Sequence, residues 1–138
     1  MTELFMLDTD ICAFILRRSS VALLDRATSF PPDQQVISVV TYAELLYGAK
    51  VSSHRIANHE AVEALARQLR VVDWTREAAS EYARIRASLR AAGSMIGAND
   101  LMIAAHASSM DATAVTNNEV DFRRVRGLRV ANWLRGER

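Results

Sequence analysis

Residues 4–18 read Leu4-Phe5-Met6-Leu7-Asp8-Thr9-Asp10-Ile11-Cys12-Ala13-Phe14-Ile15-Leu16-Arg17-Arg18. Leu4 to Leu7 is a short apolar run of the kind that forms a buried strand, and it stops at an acid. Ile11 to Arg18 then reads as a short helix, with Asp8 or Asp10 as its N-cap. A buried strand leading straight into a helix is half of a crossover unit. The fold turns on whether that pattern repeats.

It does. Pro31-Pro32-Asp33 marks a turn, and the β-branched run Val36 to Val40 reads as a second strand. Thr41 to about Ser52 follows as a helix, with Gly48 weakening its middle. His59 to Arg70 is amphipathic, placing Val62, Leu65, Ala66 and Leu69 on one face. Val71 to Trp74 is a short strand; Thr75 caps a long helix from Arg76 to Ala92, and Gly93 ends it as a left-handed stop. A helix from Asp100 to Ser109, a strand from Ala112 to Val115, a turn at Thr116-Asn117-Asn118 and a last strand from Leu128 to Leu134 complete the pattern. Strands alternating with helices predict one α/β domain over residues 1–138, with a central parallel sheet of four to five strands and helices on both faces.

Bulk properties agree and exclude several classes. The chain of 138 residues is long enough to bury its own core; half of it is apolar and 24% charged, which is globular rather than disordered. Cys12 is the sole cysteine, so there is neither a disulfide framework nor a thiolate metal cluster. No apolar run is long enough to span a bilayer and no secretory leader is recognisable, so the expectation is a soluble, cytoplasmic protein. The net charge of +1 conceals a skew: of 17 basic residues all but Lys50 are arginine, and from Arg123 onward only Glu137 opposes Arg123, Arg124, Arg126, Arg129, Arg135 and Arg138. That is a weak pointer to nucleic acid.

In a parallel sheet, ligands bind beyond the carboxyl ends of the strands. Asp8 follows the first strand, Glu44 lies one turn into the helix after the second, Asp100 opens a buried helix, and Asn118 and Asp121 follow the fourth strand. Each acid has a local explanation. Asp8 caps a helix, Thr41-Tyr42-Ala43-Glu44 matches a capping box, and Asp100 complements a helix dipole. His106, on an apolar helix, reads as a core histidine, while His54 and His59 match no metal spacing. The topology, however, lets Asp8, Glu44 and Asp100 converge. Clustered carboxylates repel one another, and a hard divalent ion such as Mg2+ or Mn2+ resolves the repulsion through oxygen ligands and retained waters.

Four segments taken in order resemble the PIN-domain ribonucleases of VapC type, the toxins of bacterial toxin–antitoxin pairs. They are Phe5 to Ile11, Ser38 to Ala49, Ile96 to Ala107, and Thr116-Asn117-Asn118 with Asp121-Phe122 and Val130 to Trp133; Arg84 to Ala87 is similar as well. The resemblance implies that Asp8, Glu44 and Asp100 bind the metal. It implies a fourth ligand where this chain has Asn118, whose amide oxygen brings no charge, with Asp121 as the acid able to compensate. Thr116 resembles the hydroxyl that orients the metal shell, Thr9 and Asp10 are first-turn residues near the site, and Arg86 is a candidate for the scissile phosphate. The implied function is Mg2+- or Mn2+-dependent hydrolysis of RNA by water, with transfer RNA a common target. The implied partners are a small antitoxin, whose tail blocks the acidic groove, and a second copy of the chain in a homodimer.

Two rival readings remain. Leu7-Asp8-Thr9-Asp10 also resembles the nucleophile motif of haloacid-dehalogenase-like phosphatases, with Thr41 as the strand-end hydroxyl and Gly97-Ala98-Asn99-Asp100 as the late acidic motif. Against it, Arg84 to Ala92 reads as helix where that family needs a strand, and Lys50, the sole lysine, falls inside a helix. The other is a catalytically weak RNA- or partner-binding module of the same fold, favoured by Asn118 alone.

Overall fold

The computed structural model describes residues 2–135. Five parallel strands, β1 (Phe5–Leu7), β2 (Gln35–Ser38), β3 (Arg70–Val72), β4 (Thr113–Val115) and β5 (Val130–Ala131), form one sheet in the order β3-β2-β1-β4-β5. Seven helices connect them: α1 (Thr9–Arg17), α2 (Val21–Ser29), α3 (Val39–Lys50), α4 (Arg55–Gln68), α5 (Arg76–Ala92), α6 (Ala98–Ser109) and α7 (Glu119–Phe122).

Alternation along the strands sorts the core into two halves. Phe5, Leu7, Ile37 and Val115 pack beneath α1–α4, against Ile11, Leu23, Leu45, Val62 and Trp133. Met6, Val36 and Ala114 face the other way, onto Ile85 and Leu89 of α5, the apolar turns of α6 and Phe122 of α7. Both faces of the sheet are therefore covered, which is why β1, β2 and β4 are buried at every position rather than at alternate ones. β1 lies between β2 and β4 with Met6 opposite Val36 on one side and Ala114 on the other. The chain crosses from β1 outward to β2 and later returns to β4 on the opposite side, so the exit of β1 is the switch point of the sheet.

Several local readings need correction. α2 was not anticipated; Ser20 accepts from the Leu23 amide at 3.1 Å and starts it, but Leu23 is its sole fully buried residue, so the apolar signal is faint. The run Val36 to Val40 is not all strand, since Val39 and Val40 already belong to α3. Ser38 is the cap, accepting from the Val40 amide at 3.0 Å, so the capping box expected at Thr41 and Glu44 does not form. α4 begins four residues earlier than the amphipathic pattern suggested, at Arg55, and β3 is displaced to Arg70–Val72. The last strand shrinks to Val130–Ala131, and Trp133–Arg135 turn into a short 3-10 segment. Thr75 and Gly93 behave as expected: the threonine side chain accepts from the Ala78 amide, and Gly93 closes α5 at φ 66°.

Ser38 has a second partner that explains its burial. His106 of α6 is fully buried, and its Nδ1 lies 2.8 Å from the Ser38 hydroxyl. The same hydroxyl that accepts from the Val40 amide therefore shares a hydrogen bond with the His106 ring. Burial holds the His106 pKa below its ordinary value, against Asp73, which raises it. The histidine thus pins the start of α3 to the middle of α6. Ser38→Ala removes a cap and orphans a buried ring nitrogen, and lowers the unfolding free energy by about 2 kcal/mol. Thr75→Ala removes a cap alone and costs about 1 kcal/mol; urea unfolding of the two variants checks the order.

Candidate metal centre

The site is assembled by strand exits. Asp8 is the residue after β1; its main-chain amide donates to the Val115 carbonyl at 2.9 Å, continuing the ladder to β4, and its side chain is 1% exposed. Its Oδ1 accepts from the Ile11 amide at 2.9 Å, so Asp8 rather than Asp10 caps α1. The Thr116 hydroxyl, at the exit of β4, donates to it as well. These two bonds favour the anion. Burial opposes it more strongly, with the nearby Asp10 and Asp100 charges adding, and pushes the Asp8 pKa up to about 7.

Asp100 sits in the first turn of α6, whose N-cap Gly97 supplies no side chain. Its pKa is raised as well, first by burial and then by Asp10, Asp121 and Glu44, while a bond from Asn118 lowers it. The same carboxylates recur in both accounts. Asp8, Asp10, Glu44, Asp100 and Asp121 share one electrostatic neighbourhood at the carboxyl end of the sheet. Glu44, half-buried on α3, is held at both oxygens: the Thr9 hydroxyl donates to Oε1 and the Asn99 amide to Oε2. Thr9 in turn lies 3.3 Å from the buried Thr41 hydroxyl.

Asn118 presents its nitrogen, not its oxygen, to the acids. Nδ2 donates to Asp100 Oδ2 at 2.9 Å and to Asp121 Oδ2 at 3.1 Å, while its main-chain amide donates to Thr116 Oγ1 at 2.9 Å. In this arrangement Asn118 is a brace between two carboxylates rather than an oxygen ligand, and Asp121 is the acid it draws in. Arg124 completes the edge, with Nη1 at 3.6 Å from Asp121 Oδ1 and donating to the Met95 carbonyl at 3.1 Å.

Arg86 is not brought to this cluster. Its Nη1 donates to Tyr82 of the same helix at 3.0 Å, and its guanidinium lies 5.8 Å from that ring's centroid. Two other residues escaped the sequence reading. Asn99 carries no signal beyond being next to Asp100, and Arg124 was one arginine among several. Lys50 is the last residue of α3 and lines a separate cavity with Arg55, Ile56 and His59. The segment before Asp100 is helix and loop, not strand. Both facts remove the phosphatase reading.

The donor set is oxygen throughout, which suits a hard divalent ion. Among the described residues no three His, Cys, Asp or Glu side chains close around a single point. The carboxylates are neighbours rather than a finished cage, the arrangement expected for an ion that keeps several waters.

Residues 5–128 match the PIN domain family. The chain is 38% identical over 129 residues to the tRNA(fMet)-specific endonuclease VapC of Shigella flexneri, covering 94% of this chain and 97% of that one. It is 35% identical over 130 residues to Ribonuclease VapC2 of Haemophilus influenzae, covering 94% and 98%. Among solved structures, DNA-bound VapBC from Salmonella typhimurium superposes with a TM-score of 0.90 at 36% identity, over 96% of this chain and 99% of that one. The chain belongs to the PIN-domain family. Within it, the chain is an endoribonuclease of VapC type, the toxin of a toxin–antitoxin pair.

The raised Asp8 pKa has a sign that can be measured without metal. The folded protein binds this proton more tightly than the unfolded chain does, whose carboxyl titrates near 3.8. Its contribution to stability is full below about pH 4 and drains away as pH rises towards 7. Asp8→Asn keeps an acceptor for Ile11 and has no charge to bury. In EDTA its melting temperature exceeds that of the unaltered protein at pH 7.5, and the gap closes on lowering the pH to 4.

Proposed function

We propose that this chain hydrolyses RNA phosphodiester bonds at a Mg2+ or Mn2+ centre held by Asp8, Glu44 and Asp100, with Asp121 as the fourth acid. The observation that carries the reading is the buried Asp8, a carboxylate raised to about 7 among other acids, with no basic side chain against it among the described residues. Such a site is uncomfortable empty and relieved by a cation. The bound ion supplies the chemistry, lowering the pKa of a coordinated water and stabilising the leaving oxygen.

The chain's own residues do the positioning. Thr116 fixes Asp8 from one side and the Ile11 amide from the other. Thr9 and Asn99 set the two oxygens of Glu44, and Asn118 holds Asp100 and Asp121 together. Transfer RNA is the substrate we favour, because the similar Shigella and Salmonella proteins are named tRNA(fMet)-specific endonucleases. We place the antitoxin on the groove of about 420 Å³ between α1, α3 and α4, lined by Ala13, Gly48 and Ala61 and sharing Thr9 and Glu44 with the acid centre. A chain laid in that groove reaches the acids directly, and related toxins are seen in VapBC complexes.

Purified protein cleaves tRNA with Mg2+ or Mn2+ and not with EDTA. Asp8→Ala and Asp100→Asn reduce cleavage at least ~100-fold while circular dichroism shows the fold retained. Undiminished cleavage by both variants overturns the assignment. In cells, expression of the chain arrests growth, the Asp100→Asn variant does not, and the antitoxin co-expressed with the chain restores growth.

A further inference from the structure

We propose that Arg124 binds the substrate phosphate at the acid centre, the role for which the sequence had offered Arg86. The inference rests on the nuclease reading and adds to it a cationic side chain at the rim of the centre. The metal is held from within by Asp8, Glu44, Asp100 and Asp121, and a guanidinium at the rim adds a forked donor for the non-bridging oxygens of an incoming phosphate.

Five arginines are engaged elsewhere. Arg84 is bonded to Glu81, Arg123 and Arg135 to Glu119, and Arg129 to Asp111. Arg86 lies on Tyr82 of its own helix. Arg124 alone of these reaches an acid of the centre, and it does so loosely. Its 3.6 Å approach to Asp121 is longer than a hydrogen bond, and its firm contact is with a main-chain carbonyl, Met95, at 3.1 Å. Both contacts use Nη1, and among the described residues Nε and Nη2 have no partner, which leaves two donors in fork geometry. The side chain is 40% exposed.

The anchor is informative too. Met95 lies just ahead of α6, and Asp121 is tied through Asn118 to Asp100. Arg124 is thereby fixed relative to the acid that opens α6, from both ends of the same loop pair. Two parallel N–H bonds from Nε and Nη2 to the non-bridging oxygens of a phosphate satisfy the fork, a pattern that lysine cannot reproduce.

The test uses the full chain in two assays. In cleavage of tRNA, Arg124→Gln loses ~10–100-fold in kcat/KM, Arg124→Lys recovers only part, and Arg90→Ala, an exposed charge on α5, cleaves as the unaltered protein does. Mn2+ affinity of Arg124→Gln, by calorimetric titration, stays within about twofold. In the second assay, a labelled RNA oligonucleotide binds the non-cleaving Asp8→Asn protein. Adding Arg124→Gln lowers the slope of log K against log salt by about one phosphate contact. A folded Arg124→Gln that cleaves normally, or one that loses Mn2+ affinity with an unchanged salt slope, overturns the proposal and leaves Arg124 a brace. Failure of the unaltered protein to cleave RNA with either metal would overturn the nuclease reading, while the salt slope would still decide Arg124.

Discussion

One carboxylate, Asp8, is buried at the end of the innermost strand, and much of the molecule follows from keeping it there. β1 has a neighbour on each side and helices on each face, so its exit is enclosed on all sides but the one where the chain order reverses. The protein compensates the burial only in part, with the Ile11 amide and the Thr116 hydroxyl. What remains is a standing electrostatic debt in the apo protein. Stability is thereby traded against readiness for a cation, the usual relation between a functional site and the scaffold that carries it.

Glu44 and Asp100 are held by neutral donors rather than by basic side chains, while Asp121 also lies 3.6 Å from Arg124. Glu44 is gripped by a hydroxyl and an amide, Asp100 by an amide, and Asp121 by the same amide. Neutral donors orient a carboxylate without cancelling its charge, whereas an arginine or lysine in their place would compete with a metal outright. The placement of Arg124 at the rim, bonded chiefly to a carbonyl, is consistent with this division between inner neutral contacts and an outer cation.

Much of this was legible in the chain. The runs at Leu4 to Leu7 and Ala112 to Val115, the Thr75 cap and the Gly93 stop pointed to the parallel α/β order, because each is a local signal with a local cause. The three acids could be singled out for the same reason, each standing at a strand exit or in the opening turns of a helix. What was misread depended on partners distant in sequence. Val39 and Val40 look like strand, and only the capping of Ser38, itself engaged by His106 sixty-eight positions away, turns them into helix. Thr41 and Glu44 spell a capping box, yet Thr9 and Asn99 claim the glutamate. Asn118 was read as a weak oxygen ligand, and nothing in its neighbours announced that its nitrogen would face two acids. Spacing finds which residues stand at the site, and tertiary contacts decide which atom each presents.

The bond between Asn99 and Glu44 gives the centre an internal ruler. Asn99 and Asp100 are consecutive in the first turn of α6, so the residue that steers one acid is covalently joined to another. The orientation of the Glu44 carboxylate towards Asp100 is thus coupled to the start of α6 through a single peptide step and one side-chain bond. Whatever shifts the start of α6 therefore moves Asp100 and the residue that orients the Glu44 carboxylate together.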